Sequence, residues 1–99
     1  MTKSELIETV SSRKPELSKK DVETVVNTVF DTMVAAMAQD YRIEIRGFGS
    51  FKVKKRKGRV ARNPRTGDQV LVPEHWVPLF KVSKEVKTLV NDTMQKAGL

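Results

Sequence analysis

Residues 42–67 read RIEIRGFGSFKVKKRKGRVARNPRTG and predict a β-sheet that continues into a cationic arm. The second part of this stretch, residues 51–67, contains eight lysines and arginines and no acidic residue. The other 82 residues carry 11 basic and 12 acidic side chains, so the whole net charge of +7 comes from residues 51–67. Positive charge of this density indicates a protein that binds a polyanion, and the pattern favours nucleic acid as that polyanion.

The sheet is predicted from an alternation of apolar and polar residues with period two on both sides of Gly47-Phe48-Gly49. Glycine supplies backbone angles that other residues resist, so this tripeptide predicts a tight reversal between two paired strands. One side of the pair holds apolar residues: Ile43, Ile45, Phe51 and Val53. The other side holds five cations, one acid and one hydroxyl: Arg42, Glu44, Arg46, Ser50, Lys52, Lys54 and Arg56. A cationic face opposite a buried one suits a phosphate backbone.

The arm is predicted from the residues that follow. Asn63-Pro64-Arg65-Thr66-Gly67 has the composition of a turn, and Val70 and Val72 begin a return strand, so Lys54 to Val72 forms a long hairpin. A charge run can instead be a disordered, solvated segment. The internal position of this run and its structured turn argue against that alternative. A two-stranded ribbon is marginal in water, so we expect it to be mobile when free and ordered against a partner.

Two helices are predicted ahead of the sheet. Thr2 with Glu5 fits a capping box, and the first helix runs to about Arg13 before Pro15 breaks it. Ser18 repeats the capping logic for a second helix with an apolar stripe: Val22, Val25, Val26, Val29, Phe30, Met33, Val34 and Met37. Ninety-nine residues make one domain with a thin core, which favours an obligate oligomer in which two chains share that core. We therefore interpret the stripe as core and subunit interface.

After the arm, the segment from Pro73 to Val82 returns to the body of the protein, and Trp76 is expected to pack against the sheet rather than stack on a base. Ser83 caps a last helix, near whose end Gly98 suits termination. The apolar residues of this helix share one face: Val86, Leu89, Val90 and Met94.

Several classes of protein are disfavoured. The chain has no cysteine and one histidine, His75, so we expect neither a metal site nor a Ser-His-Asp catalytic set. No phosphate-cradling glycine loop is present, and we expect neither enzymatic activity, nor a cofactor, nor a small-molecule substrate. Neither a signal peptide nor a membrane-spanning stretch is recognisable, so an intracellular, soluble protein with no membrane partner is expected.

Three stretches resemble the bacterial HU and integration host factor family of DNA-bending proteins: MTKSELIE at 1–8, RIEIRGFGSF at 42–51 and RNPRTGD at 62–68. The resemblance covers essentially the whole chain, and the two motifs in the sheet and the arm are highly specific together. It implies an α+β fold in an intertwined dimer. Residues 1–99 then form a single DNA-binding domain. Its parts are a helical dimerisation part at 1–40, a three-stranded antiparallel sheet at 41–82 with an extended β-hairpin arm at about 54–73, and a short C-terminal helix at 83–99.

The resemblance also implies an architectural, histone-like protein of the bacterial cytoplasm and nucleoid, which binds double-stranded DNA in the minor groove, bends it and condenses it. Pro64, at the tip of each arm, is then the residue that intercalates between base pairs. The implied dimer core is mainly aromatic and valine: Val26, Val29, Phe30, Met33, Phe48, Phe51 and Phe80. The expected DNA-binding residues are Lys3, Arg42, Glu44, Arg46, Ser50, Lys52, Lys54, Lys55, Arg56, Lys57, Arg59, Arg62, Asn63, Pro64, Arg65, Lys81, Lys84 and Lys87.

Within the family, residues 42–46 are closer to the beta subunit of integration host factor than to HU. In that subunit the residues matching Glu44 and Arg46 take part in reading sequence, and Glu44 is expected to orient a neighbouring arginine. Two departures from the family pattern are Ala61 and Ser83, each in place of a usual glycine. The sequence leaves open whether the dimer contains two copies of this chain or two related chains. It also leaves open whether DNA binding is selective or indiscriminate. An RNA-binding module using the same arm is the alternative, although the arm lacks the aromatic stacking surface usual in such proteins.

Overall fold

The computed structural model of the protein describes residues 1–98, which form three helices and five strands. The chain divides into two compact units, the first covering Met1–Ala36 and the second beginning at Met37. Leu99, the last residue of the segment 83–99 that was predicted to be a C-terminal helix, lies outside the described residues.

The first unit is built from α1 (Lys3–Arg13) and α2 (Lys19–Met37), whose last residue already counts with the second unit. The predicted caps are confirmed, since the Glu5 amide donates to Thr2 Oγ1 at 3.2 Å and the Asp21 amide donates to Ser18 Oγ at 3.1 Å. The Thr2 hydroxyl also donates to the Glu5 carboxylate at 3.3 Å. Residues that cap a helix in this way satisfy amides that have no partner within it. The sequence therefore sets both helix starts locally.

The apolar stripe of α2 has a buried side and an uncovered side. Val22 is 2% exposed and, with Ile7 of α1, makes up the fully buried part of this unit. The uncovered side consists of four large apolar side chains that are 44–62% exposed: Val25, Val29, Phe30 and Val34. Among the four stripe residues of the predicted dimer core, Val26 and Met33 are half-buried, whereas Val29 and Phe30 are exposed. A single chain thus covers only half of its own stripe.

The second unit contains a three-stranded antiparallel sheet of order β1-β2-β5, a separate two-stranded hairpin β3-β4, and one helix. Its elements are β1 (Ile43–Ile45), β2 (Gly49–Arg56), β3 (Arg59–Arg62), β4 (Gln69–Val72), β5 (His75–Val82) and α3 (Lys84–Lys96). The predicted α+β fold, sheet, hairpin and C-terminal helix are confirmed. The first strand ends at Ile45, because the Phe48 amide donates to the Ile45 carbonyl at 3.0 Å and the turn begins there.

The two glycines of the reversal are required for different reasons. Gly47 has φ of +79°, a left-handed conformation that favours glycine, as the sequence predicts. Gly49 has no such angle; there, an added Cβ atom would lie 2.6 Å from both the Lys81 carbonyl oxygen and the Phe80 ring. Gly49 is therefore needed for space rather than for backbone angle.

The predicted long hairpin from Lys54 to Val72 is present, but its strand pairing is interrupted once. Strand pairing stops after Arg56 and resumes at Arg59, and on the return it stops after Val72 and resumes at His75. The two gaps face each other, with Lys57-Gly58 on one strand and Pro73-Glu74 on the other. Proline has no amide hydrogen to donate to a ladder, which favours a break at this level. We call this break the joint, and the β3-β4 hairpin beyond it the arm.

Helix α3 is attached to the sheet at its first turn. The Ser83 amide donates to the Phe48 carbonyl at 2.8 Å, and Ser83 Oγ accepts from the Val86 amide at 3.2 Å, which confirms Ser83 as the cap. The helix ends before Gly98, whose φ of +76° suits termination. Its apolar residues Leu89, Val90 and Met94 are 48–66% exposed, so this face too is uncovered in one chain.

Replacing Gly49 with alanine is expected to destabilise the protein by about 1–3 kcal/mol, because the added methyl group overpacks a site closed by backbone and a ring. Gly47→Ala is the comparison, since nothing lies within 4 Å of its Cβ position and only the backbone angle is strained. Urea unfolding at one fixed protein concentration measures both variants. A Gly49→Ala protein as stable as the parent would contradict this account of the site.

Candidate nucleic-acid interface

The register of the three-stranded sheet decides which side chains share a face, because directly paired residues of antiparallel strands point to the same side. Glu44 pairs with Ser50, and Ser50 pairs with Lys81. Two residues further along β2 and β5, Lys52 pairs with Leu79. We call this side the cationic face; its members are Glu44, Ser50, Lys52, Lys54, Arg56, His75, Val77, Leu79 and Lys81. The strand pairing thus gathers cations that lie far apart in the sequence.

The composition of the cationic face is more mixed than the sequence suggested. Its lysines and Arg56 are exposed, whereas Val77 and Leu79 are half-buried. Lysine stems are apolar and can lie along such neighbours while the ammonium groups stay in water. This face therefore combines half-buried apolar side chains with exposed cations.

A groove of about 570 Å³ lies where the turn between β1 and β2 meets the start of α3. It brings together the predicted binding residues of this region: Arg42, Glu44, Arg46, Ser50, Lys81 and Lys84. Lys87 lies one helical turn beyond Lys84 on α3. Four cations against one acid make this groove attractive to an anion, and Lys84 stands at the positive end of the α3 dipole.

Glu44 is paired with the arginine that precedes it. Arg42 Nε lies 3.1 Å from Glu44 Oε1, and the two side chains are 59% and 70% exposed. A pair this exposed contributes only about 0.2–1 kcal/mol, so it restrains Arg42 weakly. The expected pairing of Glu44 with a neighbouring arginine is present in the structure, with Arg42 as the partner.

A second groove, of about 550 Å³, lies at the joint. It is lined by Arg56, Lys57, Arg59, His75, Val77 and Leu79. From the sequence, His75 was considered only as a metal ligand. Its Nδ1 lies 2.9 Å from the Pro73 carbonyl oxygen, which can only accept, so Nδ1 is the donor and Nε2 is left for another partner. Counting by twos along β5 from Lys81 would have placed His75 on the cationic face.

The opposite side of the sheet carries the aromatic residues. Phe51 pairs with Phe80, and the ring of Phe80 lies 4.6 Å from that of Phe51 and 5.4 Å from that of Phe48, centroid to centroid. We call this side the aromatic face; its members are Ile43, Ile45, Gly49, Phe51, Val53, Lys55, Trp76, Pro78, Phe80 and Val82. Phe48 and Phe80 are nevertheless 46% and 47% exposed. The predicted aromatic part of the core thus assembles, but one chain does not cover it.

Lys55 and Trp76 lie together on the aromatic face, away from the other lysines of the run. Lys55 Nζ is 2.6 Å from Glu74 Oε1 and 5.7 Å from the centroid of the Trp76 ring. Trp76 is 58% exposed, so its ring is not part of a core. The ammonium group of Lys55, its cross-strand neighbour, lies over the ring. The structure therefore separates Lys55 from Lys52 and Lys54, with which it was grouped from the sequence.

The arm ends in a tightly bonded turn. The Asn63 amide donates to the Asp68 carbonyl and the Gly67 amide donates to the Asn63 carbonyl, both at 2.8 Å. Asn63 Oδ1 accepts from the Arg65 amide at 2.9 Å, so this side chain shapes the turn. Gly67 has φ of +76°, as its place in the turn requires. These bonds hold Pro64 at the tip of the arm, which is the end opposite the joint.

The arginines of the arm point in different directions. Arg59 and Arg62 lie three residues apart in β3, so the pleat places them on opposite sides of the hairpin. Arg65 belongs to the turn itself, and the Arg62 Nη1 group donates to the Gly67 carbonyl at 3.3 Å. Lys3, the remaining predicted cation, is the first residue of α1 in the first unit. The arm thus presents positive charge to both of its flanks.

The part of the chain that the structure describes contains no group of three or more histidine, aspartate or glutamate side chains arranged to hold a metal ion. Within residues 1–98, no helix is both long enough and apolar enough to cross a membrane.

Comparison with known proteins agrees with this geometry. Residues 1–91 match the sequence profile of the family described as "Bacterial DNA-binding protein". Among solved structures, an Anabaena HU protein crystallised with DNA superposes with a TM-score of 0.82 at 32% identity, over 91% of this chain and 97% of that one. HU from Thermotoga maritima gives a TM-score of 0.63 at 32% identity, over 91% and 98%, and a mutant of the Thermotoga maritima protein gives 0.65 at 34% identity, over 91% and 99%. This chain belongs to the HU family of bacterial DNA-binding proteins.

Proposed function

We propose that this protein is an architectural protein of the nucleoid that binds double-stranded DNA from the minor groove and bends it. The observation that carries the proposal is the separation of the two faces of the sheet: cations line one side, and the aromatic residues lie on the other. A sheet built in this way can offer one face to phosphates and keep the other for a protein core. The crystallised complex of Anabaena HU with DNA supports duplex DNA as the ligand.

Phosphate contacts supply the binding energy in this proposal. The cationic face and the groove at α3 contact the backbone of the duplex, and the arm follows its minor groove. Because phosphate contacts position a protein without reading sequence, affinity from these residues is largely indifferent to base sequence. Each neutralised phosphate makes binding fall by about 0.9 log units per log unit of salt.

Bending is assigned to the arm tip. Pro64 is rigid and apolar, the turn bonds hold it at the end of the hairpin, and arginines lie on both flanks of the arm. An apolar wedge inserted from the minor groove unstacks a base step at a cost of a few kcal/mol and kinks the duplex. Smooth bending costs about 1–6 kcal/mol more. Phosphate neutralisation by both faces of the arm and by the sheet offsets these costs.

The functional unit is proposed to be a dimer. Each chain of this dimer forms one DNA-binding domain. The uncovered side of α2, the half-exposed phenylalanines and the apolar side of α3 leave more large apolar side chains in water than a stable monomer of this size tolerates. Two chains that bury these surfaces against each other complete one core and carry two arms. The partner is a second copy or a related chain.

Glu44 is proposed to contribute sequence preference by orienting Arg42, as expected from the likeness of residues 42–46 to the integration host factor beta subunit. An acid that faces DNA is electrostatically unfavourable unless it serves a neighbouring cation. The 3.1 Å pair with Arg42 supports this role.

Pro64→Ala is expected to retain binding but to bend DNA less, because the side chain that wedges apart a base step is shortened. Fluorescence energy transfer between dyes at the two ends of a duplex measures the bend. The parent should also prefer nicked over intact duplex, and this preference should shrink in the variant. Pro15→Ala, in the turn between α1 and α2, is the matched control and should bend DNA as the parent does.

An equal bend for Pro64→Ala and the parent would contradict the wedge. The same titration with unlabelled double-stranded RNA as competitor tests the alternative partner. RNA that displaces the nicked duplex at equal concentration would favour the RNA-binding function instead.

The dimer is expected to appear in solution as a mass of twice the 11.2 kDa chain. Val29→Glu places a charge on the uncovered side of α2 and should lower the mass, reduce the helix content, or both. Thr24→Glu places the same charge on the polar side of the helix and should leave both unchanged. Light scattering with circular dichroism provides the measurement, and a monomeric, folded parent would contradict the proposal.

Glu44→Ala is expected to reduce discrimination between DNA sequences while leaving affinity for random duplex equal or slightly higher, since an acid is removed from the interface. Competition between a selected site and random duplex measures the ratio of affinities. An unchanged ratio means that Glu44 does not contribute to sequence preference.

A further inference from the structure

Among the four cations of β2, Lys55 is the one that lies on the other face of the sheet. Strand β2 alternates, so Lys54 and Arg56 lie on the cationic face, while Lys55 lies on the aromatic face opposite Trp76. A phosphate held by the cationic face is therefore on the wrong side of the sheet for Lys55. Its charge needs another explanation.

One contact of Lys55 lies at the joint and another lies beside it, in the three-stranded sheet. Its Nζ is 2.6 Å from the carboxylate of Glu74, which belongs to the gap between β4 and β5. Its ammonium group also lies over the ring of Trp76, the second residue of β5, at 5.7 Å from the centroid. Lys55 thus links β2, before the joint, to the chain that returns through the joint.

We propose that Lys55 is a positioning residue: with Glu74 and Trp76 it braces the joint and so sets the direction of the arm relative to the three-stranded sheet. The proposal rests on the proposed function, because the direction of the arm matters only if the arm engages DNA. Lys55 then supports DNA binding without contacting phosphate.

The joint is where a modest brace has an effect. No β-ladder pairs Lys57-Gly58 with Pro73-Glu74, and Pro73 has no amide hydrogen that could restore it. An exposed ion pair is weak by itself, and a cation over an indole adds a contribution of similar size. The ion pair reaches into the gap at Glu74, and the Trp76 ring, paired with Lys55 in the sheet, holds the lysine beside the gap. Their loss should therefore widen the motion of the arm without unfolding the sheet.

The charge of Lys55 is also already compensated. Glu74 neutralises it, with both side chains about half exposed. A lysine paired in this way releases no counterion when DNA arrives, so it should not contribute to the salt dependence of binding. This property separates a brace from a phosphate contact.

The test compares Lys55→Gln, Glu74→Gln and the double variant with Lys54→Gln as the matched control. Lys54 is the preceding residue, lies on the cationic face opposite Val77, and has no carboxylate within 4 Å among the described residues. Thermal unfolding first establishes that all variants keep the parent fold. Two properties are then measured: backbone amide order parameters at residues 62–68 of the DNA-free protein, and the slope of log affinity against log salt for a nicked duplex.

A brace predicts that order parameters at the arm tip fall below the parent values in Lys55→Gln and Glu74→Gln, with no further loss in the double variant. Lys54→Gln should leave them unchanged. Lys54→Gln should reduce the salt slope by about 0.9, and Lys55→Gln should leave the slope unchanged while lowering affinity two- to fivefold.

Order parameters that stay at the parent value in Lys55→Gln would overturn the brace, and so would a salt slope reduced as much as in Lys54→Gln. The order parameters need no DNA, so they judge the brace even if the proposed function fails. Failure of the proposed function would give a different result, because Lys54→Gln would then leave the salt slope unchanged.

Discussion

The pairing of β2 with β5, with Phe51 opposite Phe80, is the constraint on which the rest of the structure depends. In a strand with period two, a slip by one residue would send every side chain to the other face. The lysines would then face the phenylalanines, and the chain would have neither a core nor a binding surface. Gly49 helps to hold the register, because the ring of Phe80 occupies the space that a side chain would need there.

This register gives the sheet two different functions. The aromatic face and the stripe of α2 leave large apolar side chains uncovered, which a second chain would bury. The cationic face leaves charge uncovered, which a duplex would neutralise. In this account folding, assembly and DNA binding all follow from one pattern of alternating residues, and the arm extends it beyond the joint to a tip that carries Pro64.

Much of the fold could be predicted from the sequence because its signals are local. Thr2, Ser18 and Ser83 cap the three helices where the sequence places them, and the bonds of the Asn63–Gly67 turn follow from its composition. The joint could not be predicted, because it depends on where two strands stop pairing at the same level. Lys55 is an expected DNA-binding residue because of its charge, whereas the alternation along β2 and β5 places Lys55 on the aromatic face and His75 on the cationic face. The interface with DNA and the dimer stay predictions that the geometry supports.

In this account one face of the sheet meets DNA and the other does not. Lysine modification followed by mass spectrometry, on the free protein and on its complex with a nicked duplex, tests this directly. Lys52, Lys54 and Lys81 are expected to become protected in the complex, while Lys55, on the aromatic face, reacts equally in both states. Protection of Lys55 equal to that of Lys54, or no protection of Lys52 and Lys54, would contradict it.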